Sequence, residues 1–207
     1  MDKYKDKYRI PTNRLQGFDY GANGCYFVTI CTQNRKHYFG EIETKNVETD
    51  NYPSLRKTKI GEIAEEFWKD IPNHFPFVTI DEFAIMPNHI HGLLYFNKDN
   101  TSWQSNKYGS QSQNLGSVIR GFKSSLKRYA NENAIEFAWQ ERFHDRVIRD
   151  NQELESVRYY IYDNPRNWPN DDLNEKNNVE TDNYPSPQKQ ADTTELERPI
   201  ETNTTII

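Results

Sequence analysis

VTIDEFAIMPNHIHGLLYF, Val78 to Phe96, divides at Pro87-Asn88. Pro presets its own φ and Asn tolerates turn conformations, so the dipeptide reads as a tight turn. The β-branched and aromatic runs on either side predict two strands, Val78–Met86 and His89–Phe96, paired as a hairpin. Side chains two apart on a strand share a face. His89 and His91 therefore present two imidazoles together at the mouth of that hairpin.

The flanking segments extend this into a fold. Cys25–Gln33 (CYFVTICTQ) reads as a buried strand ahead of the hairpin. In Lys59–Ile71, Ile60, Ile63, Ala64, Phe67, Trp68 and Ile71 recur at helical spacing, predicting an amphipathic helix. Leu115–Asn131 predicts a second helix with Asn114 as N-cap, and Glu141–Ile148 a fourth strand. Asp150 with Glu153 has the form of a capping box, opening a third helix, Asn151–Asn164, that Pro165 should close. The order β-α-β-β-α-β-α is that of a split βαβ. The fold class is thus α+β: a ferredoxin-like four-stranded antiparallel sheet, helices on one face, and an appended C-terminal helix.

Composition fits a small aromatic-rich core with long solvated segments. The 207 residues are 34% hydrophobic and 14% aromatic, with a mean hydropathy of −1.02. Residues 1–168 are read as one domain, with polar inserts at about 43–56 and 98–114, followed by an acidic, disordered tail, 169–207. The tail carries nine acids and three bases of the chain's 31 and 26, so the net charge of −5 leaves the body at +1. Any grip on nucleic acid must come from local basic clusters. NVETDNYPS occurs twice, at Asn46–Ser54 and Asn178–Ser186. Repetition this short inside polar segments marks inserted sequence, not a duplicated domain. Two cysteines without a CxxC pair exclude a structural zinc knuckle, and no stretch is long enough to span a membrane. A cytoplasmic protein is expected, without a membrane partner.

Several residues could do chemistry. The His89/His91 pair is a candidate metal site, although H-x-H also occurs on ordinary polar sheet faces. On the last helix, Leu154, Val157 and Ile161 form an apolar stripe. At 3.6 residues per turn, Tyr160 and Asn164 fall about 40° apart at one edge of it, whereas Tyr159 points away and Tyr162 lies on the other edge. Asn164 offers an amide oxygen to a hard cation; Tyr160 could equally be a tyrosine with a buried ring and a wet hydroxyl. On the second helix Arg120, Lys123 and Lys127, joined by Arg128, form a basic edge able to hold phosphates or to remain a solvated face. Lys3, Lys5, Lys7, Arg9 and Arg14 could form a second cationic arm. His144 is read as structural or DNA-contacting, and His37 and His74 have no partners at ligand spacing.

YFVTICTQNRKHYFG (26–40), MPNHIHGLL (86–94), GFKSSLKRYAN (121–131), WQERFHDRVIRD (139–150) and VRYYIYDNPRNW (157–168) together resemble the REP-associated tyrosine transposases, within the single-tyrosine HUH transposases. The resemblance spans roughly residues 9–168. Its most specific part is MPNHIHGLL followed by Y-I-x-x-N-P. It implies that His89 and His91 are paired metal-binding histidines, Tyr160 the nucleophile and Asn164 the third protein ligand; Asn, where insertion-sequence relatives usually carry Gln, fits the REP-associated branch. It also implies Mg²⁺ or Mn²⁺, a hairpin-bearing single-stranded DNA substrate such as a REP-like palindrome, and a covalent 5′-phosphotyrosine intermediate in a monomer or homodimer. Ligand softness alone would favour Mn²⁺ or Zn²⁺ over Mg²⁺. Trp103 and Tyr108 are candidates for base stacking. The two polar inserts and the tail do not match the family. Two alternatives stand beside this reading: a non-cutting DNA-binding protein of the same ancestry, and a metallohydrolase drawing a carboxylate from Glu62, Glu65 or Glu66.

Overall fold

A computed structural model describes residues 3–4, 7–8, 18–43, 53–99 and 112–174. Trp103, Tyr108, nearly all of both NVETDNYPS copies, the side chains of the N-terminal basic arm, and the chain beyond Asn174 lie outside these residues. Lys3–Tyr4 (β1) and Lys7–Tyr8 (β2) pair as a minimal antiparallel ladder. Gly24–Cys31 (β3), Val78–Met86 (β6), His89–Phe96 (β7) and His144–Ile148 (β8) form the main sheet, in the order β6-β7-β3-β8 with every pairing antiparallel. Gly40–Glu43 (β4) and Ser54–Lys57 (β5) form a separate pair flanking the first insert.

The helices are Lys59–Lys69 (α1), Ile71–His74 (α2), Leu115–Glu132 (α3) and Asn151–Asn167 (α4). The hairpin and the ferredoxin-like plan appear as the sequence predicts. Asn114 caps α3 reciprocally: its side chain accepts from the Ser117 amide at 2.8 Å, and its own amide donates to Ser117 Oγ at 3.0 Å. Asp150 caps α4 by accepting from the Glu153 amide at 2.8 Å, but the Glu153 carboxylate reaches back to the Arg149 amide instead of that of Asp150.

Several boundaries differ from expectation, beginning with the first predicted strand, which ends at Cys31 before a short 3-10 turn at Gln33–Arg35. The helix predicted to run to Ile71 breaks at Asp70, because Pro72 starts a new short turn better than it continues an old one. The last strand begins at His144 instead of Glu141. Pro165 lies inside α4 instead of ending it. Its missing N–H removes one hydrogen bond near the helix end, but the turn it occupies is pinned on both sides by the buried Asn164 and Trp168.

Alternation along β3 and β7 gives the sheet two different covers. Tyr26, Val28, Ile30, Ile90, Leu94 and Phe96 face α1 and α3 and form the main core with Ile60, Trp68, Val118, Phe122 and Leu126. Gly92 is what lets α1 come this close: a Cβ there would lie 2.2 Å from the Trp68 ring. Cys25, Phe27 and Leu93 face the other way, against Val157 and Ile161 of α4. Arg158 donates from Nε (3.1 Å) and from Nη2 to the two oxygens of Asp81, tying α4 to β6. No described helix is long and apolar enough to cross a membrane.

Candidate active site

The α4 face of β7 carries His89 and His91, 0% and 1% exposed, with ring centroids 4.5 Å apart. Neighbouring side chains orient each ring. Asn88 donates from Nδ2 to the Leu173 carbonyl at 2.7 Å, which leaves its Oδ1 to accept from His89 Nδ1 at 2.8 Å. His89 therefore holds its proton on Nδ1 and keeps a bare lone pair on Nε2. That nitrogen is buried without a hydrogen-bond partner among the described residues. His91 Nδ1 lies 2.8 Å from Thr29 Oγ1, and its Nε2 lies 3.3 Å from the Tyr160 hydroxyl. If the phenol donates to Nε2, the imidazole must donate from Nδ1 to Thr29.

Tyr160 arrives on α4, half-buried, with its ring edge-on to Phe27 (6.1 Å) and to His91 (5.1 Å). Asn164 follows one turn later, buried. It donates from Nδ2 to Asp171 Oδ2 at 3.2 Å, and its Oδ1, like His89 Nε2, has no hydrogen-bond partner among the described residues. Asp171 also accepts the Leu173 amide at 2.6 Å and is itself 4% exposed. Ligand atoms of His89, His91 and Asp171 all lie within 4.8 Å of one another.

The electrostatics follow from burial. His89 is pushed down to about 3 by burial first and by the nearby Arg35 cation second. His91 lies well below the ordinary imidazole value, through burial and then through His89. Both rings are neutral at pH 7, the form that binds metals. Burial, then the Asp171 carboxylate, raises the Tyr160 phenol above its ordinary value, so it holds its proton at neutral pH. Buried polar atoms are normally paired. Two orphaned lone pairs, on His89 Nε2 and Asn164 Oδ1, beside a second imidazole and a carboxylate make a donor set suited to a divalent cation.

No protein-family model matches the chain. A Haemophilus influenzae protein of uncharacterised function is 33% identical over 170 residues, covering 77% of this chain and 90% of the relative. A second protein of that organism, whose name assigns it to the REP-associated tyrosine transposases, is 30% identical over 163 residues, covering 73% of this chain and 80% of the relative. This chain belongs to the REP-associated tyrosine transposases. Two solved structures are more distantly similar. A REP-associated tyrosine transposase bound to a REP hairpin aligns over 77% of this chain and 74% of its own, with 17% identity and a TM-score of 0.48. A Deinococcus radiodurans structure described as that of a transposase aligns over 73% and 97%, with 12% identity and a TM-score of 0.34.

In this family member the four residues expected at the centre, His89, His91, Tyr160 and Asn164, meet in one place. The expected basic edge does not join them. Arg120, Lys123, Lys127 and Arg128 lie on α3, which covers the opposite face of the sheet. Lys123 donates to the carbonyls of Gln140 (2.6 Å) and Glu141 (3.1 Å), and Lys127 to that of Phe137 (2.6 Å). Both ammonium groups thus fasten the loop before β8, while Arg120 and Arg128 are exposed. Glu62 and Glu65 on α1 pair with lysines, and α1 too lies across the sheet from the imidazoles. The carboxylate that does approach them is Asp171, which the sequence reading left in the tail. A hint was present in its neighbours, since Trp168 and Leu173 are apolar residues within an otherwise polar stretch. Both are buried here.

Proposed function

We propose that this chain is a metal-dependent single-stranded DNA nuclease and strand transferase that works through a covalent 5′-phosphotyrosine. The observation carrying this reading is the meeting of the Tyr160 hydroxyl with His91 at 3.3 Å, one helical turn from Asn164 and beside the orphaned His89 Nε2. His89, His91 and Asn164 would hold Mg²⁺ or Mn²⁺, with Asp171 fixing the Asn164 amide so that its oxygen faces the imidazoles. A divalent cation held there would supply positive charge to stabilise the phosphodiester under attack.

The chain's own residues do the rest. Tyr160 Oη forms the new bond to phosphorus and gives up its proton as it does so, because its phenol is neutral beforehand. The bond from phosphorus to the 3′-oxygen breaks, and that oxygen leaves as a 3′-hydroxyl after taking up a proton. The phosphoryl group stays on Tyr160, so attack by a 3′-hydroxyl reverses the step and rejoins DNA without a nucleotide cofactor. Phe27 and Trp168 border the imidazoles. Hairpin-bearing DNA is the proposed substrate, and the proposed catalytic unit extends through Asn174.

The test is to incubate wild type and Tyr160→Phe with end-labelled hairpin DNA and Mn²⁺, then separate the products on a denaturing gel. A labelled protein adduct from wild type alone supports the reading. Binding without an adduct from either protein would leave a DNA-binding module, and cleavage by both without an adduct would indicate a hydrolase.

A further inference from the structure

Thr29 sits at the middle of a row crossing three strands: His91 of β7 stands opposite it on one side and His144 of β8 on the other. Directly opposed residues point to the same face, their Cβ atoms about 4.5–5.5 Å apart. His144 therefore shares the α4 face with the paired imidazoles. Two residues along β3, Cys31 stands opposite His89, and Arg35 places Nη1 3.5 Å from the Cys31 sulfur. After burial, Arg35 is the largest influence depressing both His89 and His144, so its charge is felt at both ends of this group. A cation and an imidazole thus flank the His89/His91 pair on the side of β3 and β8.

Among the described residues the Arg35 guanidinium has no carboxylate partner, unlike several other cations of the chain. Arg56, Arg146 and Arg158 are each paired with a carboxylate, as are Lys36, Lys57, Lys59 and Lys69. Arg35 is half-buried, and among the described residues its one hydrogen-bond acceptor is a thiol sulfur, a weak one. The backbone holds it there at a cost. Asn34 and Arg35 both adopt left-handed φ, 52° and 55°, a conformation non-glycine residues rarely take. The turn is braced by Thr32 Oγ1 donating to the Lys36 carbonyl (2.7 Å) and by the Gln33 amide donating to that of Ala138 (2.9 Å). Strain of this kind persists where the surroundings over-determine it, commonly at functional sites. A planar, permanently charged fork with no oxygen acceptor among the described residues matches a phosphate.

We infer that Arg35, with His144 beside it, forms a subsite for a phosphodiester of the DNA strand next to the one that Tyr160 attacks. This rests on the DNA-cleaving reading above, and the experiment separates the two. The full-length Tyr160→Phe protein, which cannot cut, is titrated with a fluorescein-labelled single-stranded oligonucleotide over a series of NaCl concentrations. Adding Arg35→Ala should weaken binding about tenfold and reduce the slope of log K against log salt by about one. Arg35→Lys should retain that slope while losing part of the affinity, and His144→Gln should weaken binding without changing the slope. The Mn²⁺ affinity of the Arg35→Ala protein, read by electron paramagnetic resonance, should match its parent and show that the imidazole cluster is intact. Unchanged affinity and slope in Arg35→Ala overturn the inference, as does an Arg35→Lys slope equal to that of Arg35→Ala. If wild type forms no adduct and the Arg35 slope change is still seen, the nuclease reading fails and the phosphate subsite stands.

Discussion

On one side of the central sheet Ile90, Leu94 and Phe96 of β7 lie under α1 and α3, in a layer of interlocked aliphatic and aromatic side chains. On the other side of the same strand His89 and His91 lie as deeply buried under α4, but their layer contains two imidazoles, an amide, a carboxylate and a phenol. The first face gains stability from burying apolar surface, about 1.5–3 kcal/mol for each large side chain. The second costs stability, because burial depresses its imidazoles and leaves His89 Nε2 and Asn164 Oδ1 unpaired. The alternation of one strand therefore lets a small domain keep a costly polar cluster rigid, with the opposite face holding the backbone beneath it.

The sharpest way to break this division is Tyr160→Phe. It should abolish adduct formation, by at least about 1000-fold, while the thermal midpoint stays near that of wild type. A large loss of stability would mean that the α4 face is also a principal support. On the apolar face, Trp68→Ala should cost about 3–5 kcal/mol in urea unfolding, since the indole fills the slot made by Gly92. The variant should still bind Mn²⁺ under conditions where it remains folded.

How far the sequence revealed each face depended on whether the signal was local. The hairpin and H-x-H pair were legible because a strand's period of two sets which side chains share a face, and the stripe Leu154, Val157, Ile161 correctly aimed Tyr160 inward. Asn164 was placed beside Tyr160 by helical spacing, with an amide oxygen to offer a cation, and the family resemblance made it the proposed third ligand. Asp171 was hidden because its burial depends on the chain turning back through Trp168–Asn170 and on the docking of Leu173, neither of which has a periodic signature. Lys123 and Lys127 show the same limit of local signals from the other side. Their spacing marks one helix edge, but not that loop carbonyls would be waiting at the ends of their side chains.

Asp171→Asn sharpens the comparison at the point that was hidden. Its loss should lower Mn²⁺ affinity about 10–100-fold, the range typical of residues that orient metal ligands, as measured by titration calorimetry. The depressed imidazoles give a smaller, pH-dependent effect. Above the ordinary value of 6.5 neither state is protonated, so His89 contributes no pH dependence. Below it the unfolded chain takes up a proton that folded His89 refuses until about pH 3, so stability falls as pH is lowered through that window. The thermal midpoint of wild type should accordingly fall relative to that of His89→Gln as the pH is lowered below 6.5. The smallest effect belongs to Arg158→Ala. Its side chain is 38% exposed, so the lost pairing with Asp81 should cost no more than about 1 kcal/mol, with adduct formation slowed only a few-fold by a looser α4.

Asn88 joins the tip of the hairpin to the Leu173 carbonyl, so the turn that aims His89 is clasped by residues downstream of the last long helix. A truncation or affinity tag placed right after Trp168 would remove that clasp together with Asp171, and the protein could purify well while its imidazoles drift. Expression work on this chain should keep residues 169–174 and attach anything foreign beyond Asn174.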